Sequence, residues 1–224
     1  MVDMIDGLKR CGIPESAAPL LAEKMEAYIK EIILFNSAYN LTNTSDRDEL
    51  AVRHIFDSLA AWSEIEKLSK DGNIVIADIG SGGGLPGIPL AAAFAASGKE
   101  NVRFELVERM EKRCAFLENC AAILGLKNIT VVNSEAERVA EAAYDIITFR
   151  AFRPLDKKMT KTLLRIVKLD GYLCAYKAKL SSIKEEMDAI KMLVPSYEVE
   201  QLSVPGLEDS ERNLVIIKKQ QSSS

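Results

Sequence analysis

The stretch from Ile74 to Glu108 constrains this chain more tightly than any other. Ile74-Val75-Ile76-Ala77-Asp78 is a short apolar run ending in an acid, as a buried parallel strand does on reaching a ligand. Gly80-Ser81-Gly82-Gly83-Gly84-Leu85-Pro86-Gly87 follows; its glycines permit positive backbone angles and let a ligand approach the main chain. A helix opening near Pro86 turns unpaired amides toward that ligand. A second apolar run, Val102 to Val107, leads into Glu108, the position that holds ribose hydroxyls in nucleotide-binding folds. Strand, glycine loop, helix and acid-tipped strand together predict a bound nucleoside.

Similar apolar runs recur at Ile129 to Val132, Asp145 to Phe149 and Gly171 to Tyr176, separated by helical patterns. This alternation predicts an open parallel sheet covered on both faces. Tyr197 to Val204 and Leu214 to Lys218 flank a Pro205-Gly206 turn and a charged loop too short for a helix, so they should pair antiparallel. The expected architecture is therefore α/β and Rossmann-like, a seven-stranded, mostly parallel sheet closed by a terminal antiparallel hairpin. Ahead of it, Leu21, Met25, Tyr28, Ile32 and Phe35 recur at helical spacing. Asp46 and Glu49 have the spacing of a capping box, after which Leu50, His54, Asp57 and Ala61 continue the helical period. The expected divisions are an N-terminal helical extension over 1–72, a main domain over 73–219 and a frayed tail over 220–224.

Composition narrows the chemistry. With 29 Lys+Arg against 33 Asp+Glu and 28% charged residues, the chain reads as a globular protein, neither disordered nor disulfide-stapled. Its single histidine, His54, excludes sites that need two imidazoles, so no metal is expected. Cys11, Cys114, Cys120 and Cys174 form no C-x-x-C pair and are expected to be buried thiols of a cytoplasmic protein. Asp3 and Asp6 break the basic-then-apolar profile of a secretory signal. The uncharged stretch Ile79 to Gly98 holds six glycines and two prolines, so it is a loop entering a helix, with no membrane role.

Two features tilt the choice of nucleoside. Gly82, Gly84 and Gly87 satisfy the dinucleotide spacing, but Asp78 places a carboxylate where a pyrophosphate is repelled and an ammonium or sulfonium is welcome. The closing hairpin belongs with the methyltransferase version of the fold, so S-adenosylmethionine is the expected cofactor. The third strand leads into Glu135-Ala136-Glu137, an adenine-side position or else a solvated first helical turn. Arg150 ends the fourth strand, where the ligand crevice lies.

Arg150, Arg153, Lys157, Lys161, Arg165 and Lys168 follow at steps of three or four. A helix starting near Pro154 should carry several of them along one side, opposite Leu155, Met159, Leu163, Ile166 and Val167. Lys177 follows the next strand, and Arg109, Lys112 and Arg113 cluster after Glu108. Cations beside a cofactor crevice fit an RNA backbone, although a solvated helix face explains the stripe as well. His54 and Asp57, three apart, could form an acid-base pair or a structural bridge.

The order of these motifs is similar to that of the bacterial small-subunit ribosomal RNA methyltransferase G family, formerly the glucose-inhibited division protein B family. The likeness lies in Asn40-Leu41-Thr42, Arg53-His54-Ile55-Phe56-Asp57-Ser58-Leu59 and Asp78 through Leu90. It continues in Lys112-Arg113 with Phe116-Leu117, Arg150-Ala151-Phe152, Gly171 to Lys177 and Arg212 to Lys218. The resemblance spans residues 36 to 218 and implies transfer of methyl from S-adenosylmethionine to N7 of a guanine in 16S ribosomal RNA, free or within the small subunit. It implies cofactor contacts at Gly80, Leu85, Ala136, Glu137 and Arg150, with Glu108 as the ribose ligand, beside the residue-based candidates Asp78 and Gly82. RNA contacts are expected at Arg113, Arg150, Arg153, Lys157, Lys161, Arg165 and Lys177, in a monomer. Two positions depart from the family's pattern: Glu135 stands where an arginine is usual, and Phe149 where a small residue is.

Because guanine N7 has a lone pair and no proton, no general base is expected. A nicotinamide-dependent reductase is the rival enzyme, but no Tyr-x-x-x-Lys pair supports it. A non-catalytic nucleoside- or RNA-binding module on the same fold is the third alternative.

Overall fold

A computed structural model describes residues 1–69, 72–150 and 155–220. Seven strands form one sheet: β1 (Ile74–Ile79), β2 (Val102–Glu108), β3 (Ile129–Asn133), β4 (Tyr144–Arg150), β5 (Val167–Lys177), β6 (Glu198–Gln201) and β7 (Asn213–Lys218). Their order is β3-β2-β1-β4-β5-β7-β6. Strands β1 to β5 pair in parallel, and β7 lies antiparallel between β5 and β6. The expected sheet and terminal hairpin are therefore present. The first hairpin strand is shorter than the sequence reading of 197–204, and Glu198 and Glu200 are exposed on this edge, charge that discourages pairing with another chain.

Nine α-helices are described: α1 (Met4–Arg10), α2 (Ala18–Tyr39), α3 (Arg47–Leu50), α4 (Asp57–Leu59), α5 (Trp62–Leu68), α6 (Gly87–Ala96), α7 (Glu111–Ile123), α8 (Lys157–Ile166) and α9 (Leu180–Ile190). Asp46 caps α3 as its spacing predicts, accepting the Glu49 amide at 2.8 Å. The helix expected to run on through Ala61 is instead interrupted by a π-helical turn, Ala51–Phe56. Such turns insert a residue into the helical phase and occur often at functional sites. Pro154, at the expected start of the following helix, and the tail residues 221–224 lie outside the described residues; the described part of α8 begins at Lys157, capped by Asp156.

Side chains alternate across the sheet, so strand parity decides which helices each residue meets. Ile76, Phe104, Leu106, Ile146, Cys174, Leu214 and Ile216 join one buried cluster with α1, α2, α5, α6 and α7. Ala77, Ile79, Val107, Ile147, Leu173 and Val215 join the other with α8 and α9. On α2, Leu21, Met25, Tyr28 and Ile32 are fully buried, and burying each such side chain contributes about 2 kcal/mol. Phe35 meets Phe116 edge-on at 5.6 Å, while Trp62, Phe94 and Phe104 continue an aromatic chain from α5 through α6 to β2. The N-terminal helices and the sheet thus share a single core face. Among the described residues, no helix is long and apolar enough to cross a membrane.

Candidate functional site

Asp78 and Glu108 end β1 and β2 on the same face as Ile76 and Leu106, beneath the glycine loop. Asp78 is 1% exposed; its Oδ2 accepts from Ser81 Oγ at 2.7 Å and from the Gly87 amide at 3.1 Å, at the N-terminus of α6. Among the described residues, Oδ1 is buried without a partner. Burial pushes this carboxyl up to about 6, against the pull of the Ser81 and Gly87 hydrogen bonds. Glu108 is also buried; Oε2 accepts from the Gly82 amide and Oε1 from the Met110 amide, both at 2.9 Å. Each of its oxygens retains a second lone pair for a hydroxyl donor.

Backbone geometry explains the glycines. Gly80, Gly82 and Gly84 have φ of 70°, 58° and 90°, in the region L side chains avoid. Gly87 serves close approach: a Cβ there would lie 2.4 Å from Leu106 Cδ2 and 2.8 Å from Asp78 Oδ2. The loop is tied to the N-terminal helices, because Tyr28 Oη donates to the Gly83 carbonyl and Leu41 packs against Gly83.

A cavity of about 490 Å³ opens over the C-terminal ends of β1, β2 and β3. Of the expected cofactor residues, Gly80, Glu108, Ala136 and Glu137 line it. Asp78 lies under the loop, and Gly82 and Leu85 are not among the lining residues. Ser134, directly after the third strand, lines the cavity too. Sequence reasoning missed Met110, Lys158 and Met159, which also line it; the last two sit at the start of α8, where the rule that ligands gather beyond strand C-termini could have found them. Ala136 and Glu137 form a 3-10 turn braced from behind by Arg165, whose guanidinium donates to the carbonyls of Val139 at 2.8 Å, Glu137 at 3.1 Å and Ala136 at 3.4 Å.

Arg150 stands elsewhere. Its parity, shared with Ile146, directs it to the face covered by the N-terminal helices, and it pairs with Asp57 at 2.7 Å. The other Asp57 oxygen takes Arg212 Nε at 2.9 Å. Arg150 Nη2 lies 3.3 Å from His54 Nδ1; since a guanidinium only donates, Nδ1 is the acceptor and the ring proton sits on Nε2. Burial foremost, then the charge of Arg150, lowers the His54 pKa to about 4. His54 and Asp57 are therefore brought together through Arg150, and the histidine is neutral near pH 7. Arg150 was expected at the cofactor and among the RNA contacts; it is absent from the lining of the 490 Å³ cavity and lines a second one of about 240 Å³ with Asp57 and Arg212.

The basic stripe is smaller than its sequence suggests. Lys168 pairs with Asp145 and Lys177 with Glu186, Arg165 is committed to carbonyls, and Arg153 lies outside the described residues. Lys157 and Lys161 remain exposed on α8, beside Lys158. Arg113 lines the first cavity, its Nε buried and without a partner among the described residues. All four cysteines are buried and free, burial raising Cys11 and Cys174 to about 12.

A parallel sheet closed by a reversed β7 between β5 and β6, with acids at the ends of β1 and β2 beside a glycine loop, defines the Rossmann-like methyltransferase fold. Solved structures agree on the fold. A SAM-dependent methyltransferase from Aquifex aeolicus matches 77% of this chain and 93% of its own at TM-score 0.55 and 17% identity; the [4+2]-cyclase SpnF matches 90% and 96% at TM-score 0.58 and 12% identity. The sequence model of the rRNA small subunit methyltransferase G family matches residues 21–215. Ribosomal RNA small subunit methyltransferase G of Treponema denticola is 40% identical, covering 96% of this chain and 93% of that protein, and its Neisseria meningitidis serogroup B counterpart is 34% identical, covering 88% of each. The chain belongs to the rRNA small subunit methyltransferase G family.

Proposed function

We propose that this protein transfers methyl from S-adenosylmethionine to N7 of a guanine in 16S ribosomal RNA. The observation that carries this reading is the pairing of Glu108, lining the 490 Å³ cavity, with Asp78, which among the described residues holds an unpartnered buried oxygen beneath the same glycine loop, in a member of this family. An unpartnered carboxylate oxygen fits a ligand bearing ammonium and sulfonium charge, and the second lone pairs of Glu108 fit ribose hydroxyls. The bound cofactor supplies an electrophilic methyl group.

The chain's own residues bind and orient. Glu108 fixes the ribose while Ala136 and Glu137, held by Arg165, border the adenine side. Asp78 supplies negative potential under the loop. Guanine N7 presents a lone pair and no proton, so no side chain has to move a proton, consistent with His54 being neutral and a weak base. What remains is alignment of the nucleophile and electrostatic support for the guanine as it gains charge. Lys157, Lys158 and Lys161 on α8, with Arg113 across the cavity, face the RNA, and the helices up to residue 72 act as part of the site.

Two measurements test this. Thermal stabilisation by S-adenosylmethionine and S-adenosylhomocysteine, but not NADH, is expected. Radiolabelled methyl donor should then label 16S RNA, free or within small subunits. Label in a guanine nucleoside but in neither RNA substrate would remove the ribosomal assignment.

A further inference from the structure

We infer that the second cavity binds one phosphodiester of the RNA next to the target base, with Arg212 as its principal ligand; this rests on the methyltransferase reading above. The cavity, about 240 Å³, is lined by Asp57, Arg150, Tyr176, Lys177, Arg212 and Asn213 among others. It sits at the C-terminal ends of β4 and β5 and the start of β7, whose register pairs Arg150 with Tyr176 and Lys177 with Asn213. Because β1 and β4 are direct neighbours, it lies on the same sheet edge as the glycine loop. The first cavity covers β1 to β3 and the second covers β4, β5 and β7, which gives the edge a cofactor half and a substrate half.

The donors left free select the ligand. Asp57 takes Arg150 and Arg212, Glu186 takes Lys177, and the Glu211 carboxylate lies 3.4 Å from Asn213 Nδ2, so three cations and three carboxylates balance around the cavity. What the cavity offers an incoming anion is the planar N–H fork of Arg212, which suits the paired oxygens of a phosphodiester. Asp57 holds both guanidiniums in place before RNA arrives, one on each oxygen. Among the described residues, Arg212 spends Nε on Asp57 and one N–H of Nη1 on the Glu211 carbonyl, which leaves three N–H donors. Asp57 is thus a positioning residue and Arg212 a binding one.

The test is the salt dependence of 16S ribosomal RNA binding by the S-adenosylhomocysteine-bound protein. One lost phosphate contact lowers the slope of log K against log [salt] by about 1. Arg212→Gln, which keeps an amide donor for Asp57, should show that fall and bind about tenfold more weakly at the low end of the salt range. Arg212→Lys should keep the wild-type slope. Lys177→Gln should also lose slope, which gives a second reading if Arg212→Gln is poorly folded. Affinity for S-adenosylhomocysteine, held by the other cavity, reports on intact folding. Unchanged slopes in both Gln variants, or an Arg212→Lys slope as low as that of Arg212→Gln, would overturn the inference. Failure of the wild-type protein to bind S-adenosylhomocysteine or to methylate RNA would instead count against the parent reading.

Discussion

Tyr28 Oη, on the fully buried face of α2, donates its proton to the carbonyl of Gly83 in the glycine loop. The N-terminal helices therefore do more than cover the sheet, since one of them fixes the loop that shapes the cofactor cavity. Tyr28→Phe leaves that carbonyl unpaired in a buried setting and should cost about 1–2 kcal/mol of stability. Urea unfolding reads the stability, and calorimetry should find several-fold weaker binding of S-adenosylmethionine. Unchanged affinity would mean that the contact braces the fold alone.

Asp57 joins Arg150 and Arg212, elements 93 and 155 residues away along the chain. Its side chain is 11% exposed. Asp57→Ala strands two guanidiniums and should destabilise the protein by about 3 kcal/mol. Denaturant midpoints check this; a loss below about 1 kcal/mol would place the pair among weak surface bridges.

Two glycines of one loop should respond differently. Gly87→Ala drives a methyl into Leu106 and Asp78, overpacking that costs about 1–3 kcal/mol. Gly82→Ala has φ +58° but no atom within 3.7 Å, the nearest being Gly80 O at 3.8 Å, so its strain is about 1 kcal/mol. Melting temperatures should rank Gly87→Ala well below Gly82→Ala, while both lose cofactor affinity.

Asp78 predicts a pH dependence. Its folded pKa of about 6 lies above the ordinary 3.8, so the native state holds this proton more tightly than the unfolded chain. The stability this group contributes is full below pH 3.8 and declines as pH rises through about 6. A cationic ligand favours the ionised form, so affinity runs the opposite way: S-adenosylmethionine should bind about tenfold more weakly at pH 5 than at pH 7. Asp78→Asn should flatten that dependence. A wild-type affinity constant across this range would show that the ligand does not sense Asp78.

Most of the fold was legible because each strand, turn and cap declares itself within a few residues, as Asp78 before the glycines and Asp46 before Glu49 do. The cavity acid Glu108 was legible for the same reason. The stripe from Arg150 to Lys168 was not, since its counterions Asp57 and Asp145 and the carbonyls held by Arg165 come from distant segments that no local spacing reveals. Arg212 stood in a recognised block, yet its role depends on an ion pair across 155 residues. Arg150 was placed at the correct strand end, but its facing followed from strand parity and from which helices cover that face. The π-helical turn carries no hydrophobic-period signal, because a single inserted residue barely disturbs the pattern around it.

The central claim is tested most directly by locating the methyl group. Guanine methylated at N7 becomes cationic, and its glycosidic bond becomes labile after borohydride reduction, so aniline then cuts the RNA at that nucleotide. With purified protein, S-adenosylmethionine and 16S ribosomal RNA or small subunits lacking the modification, a single new cut at one guanine is predicted, absent when the donor is omitted. Label entering the RNA with no such cut, or no label in either substrate while the cofactor still binds, would contradict N7 methylation of 16S ribosomal RNA.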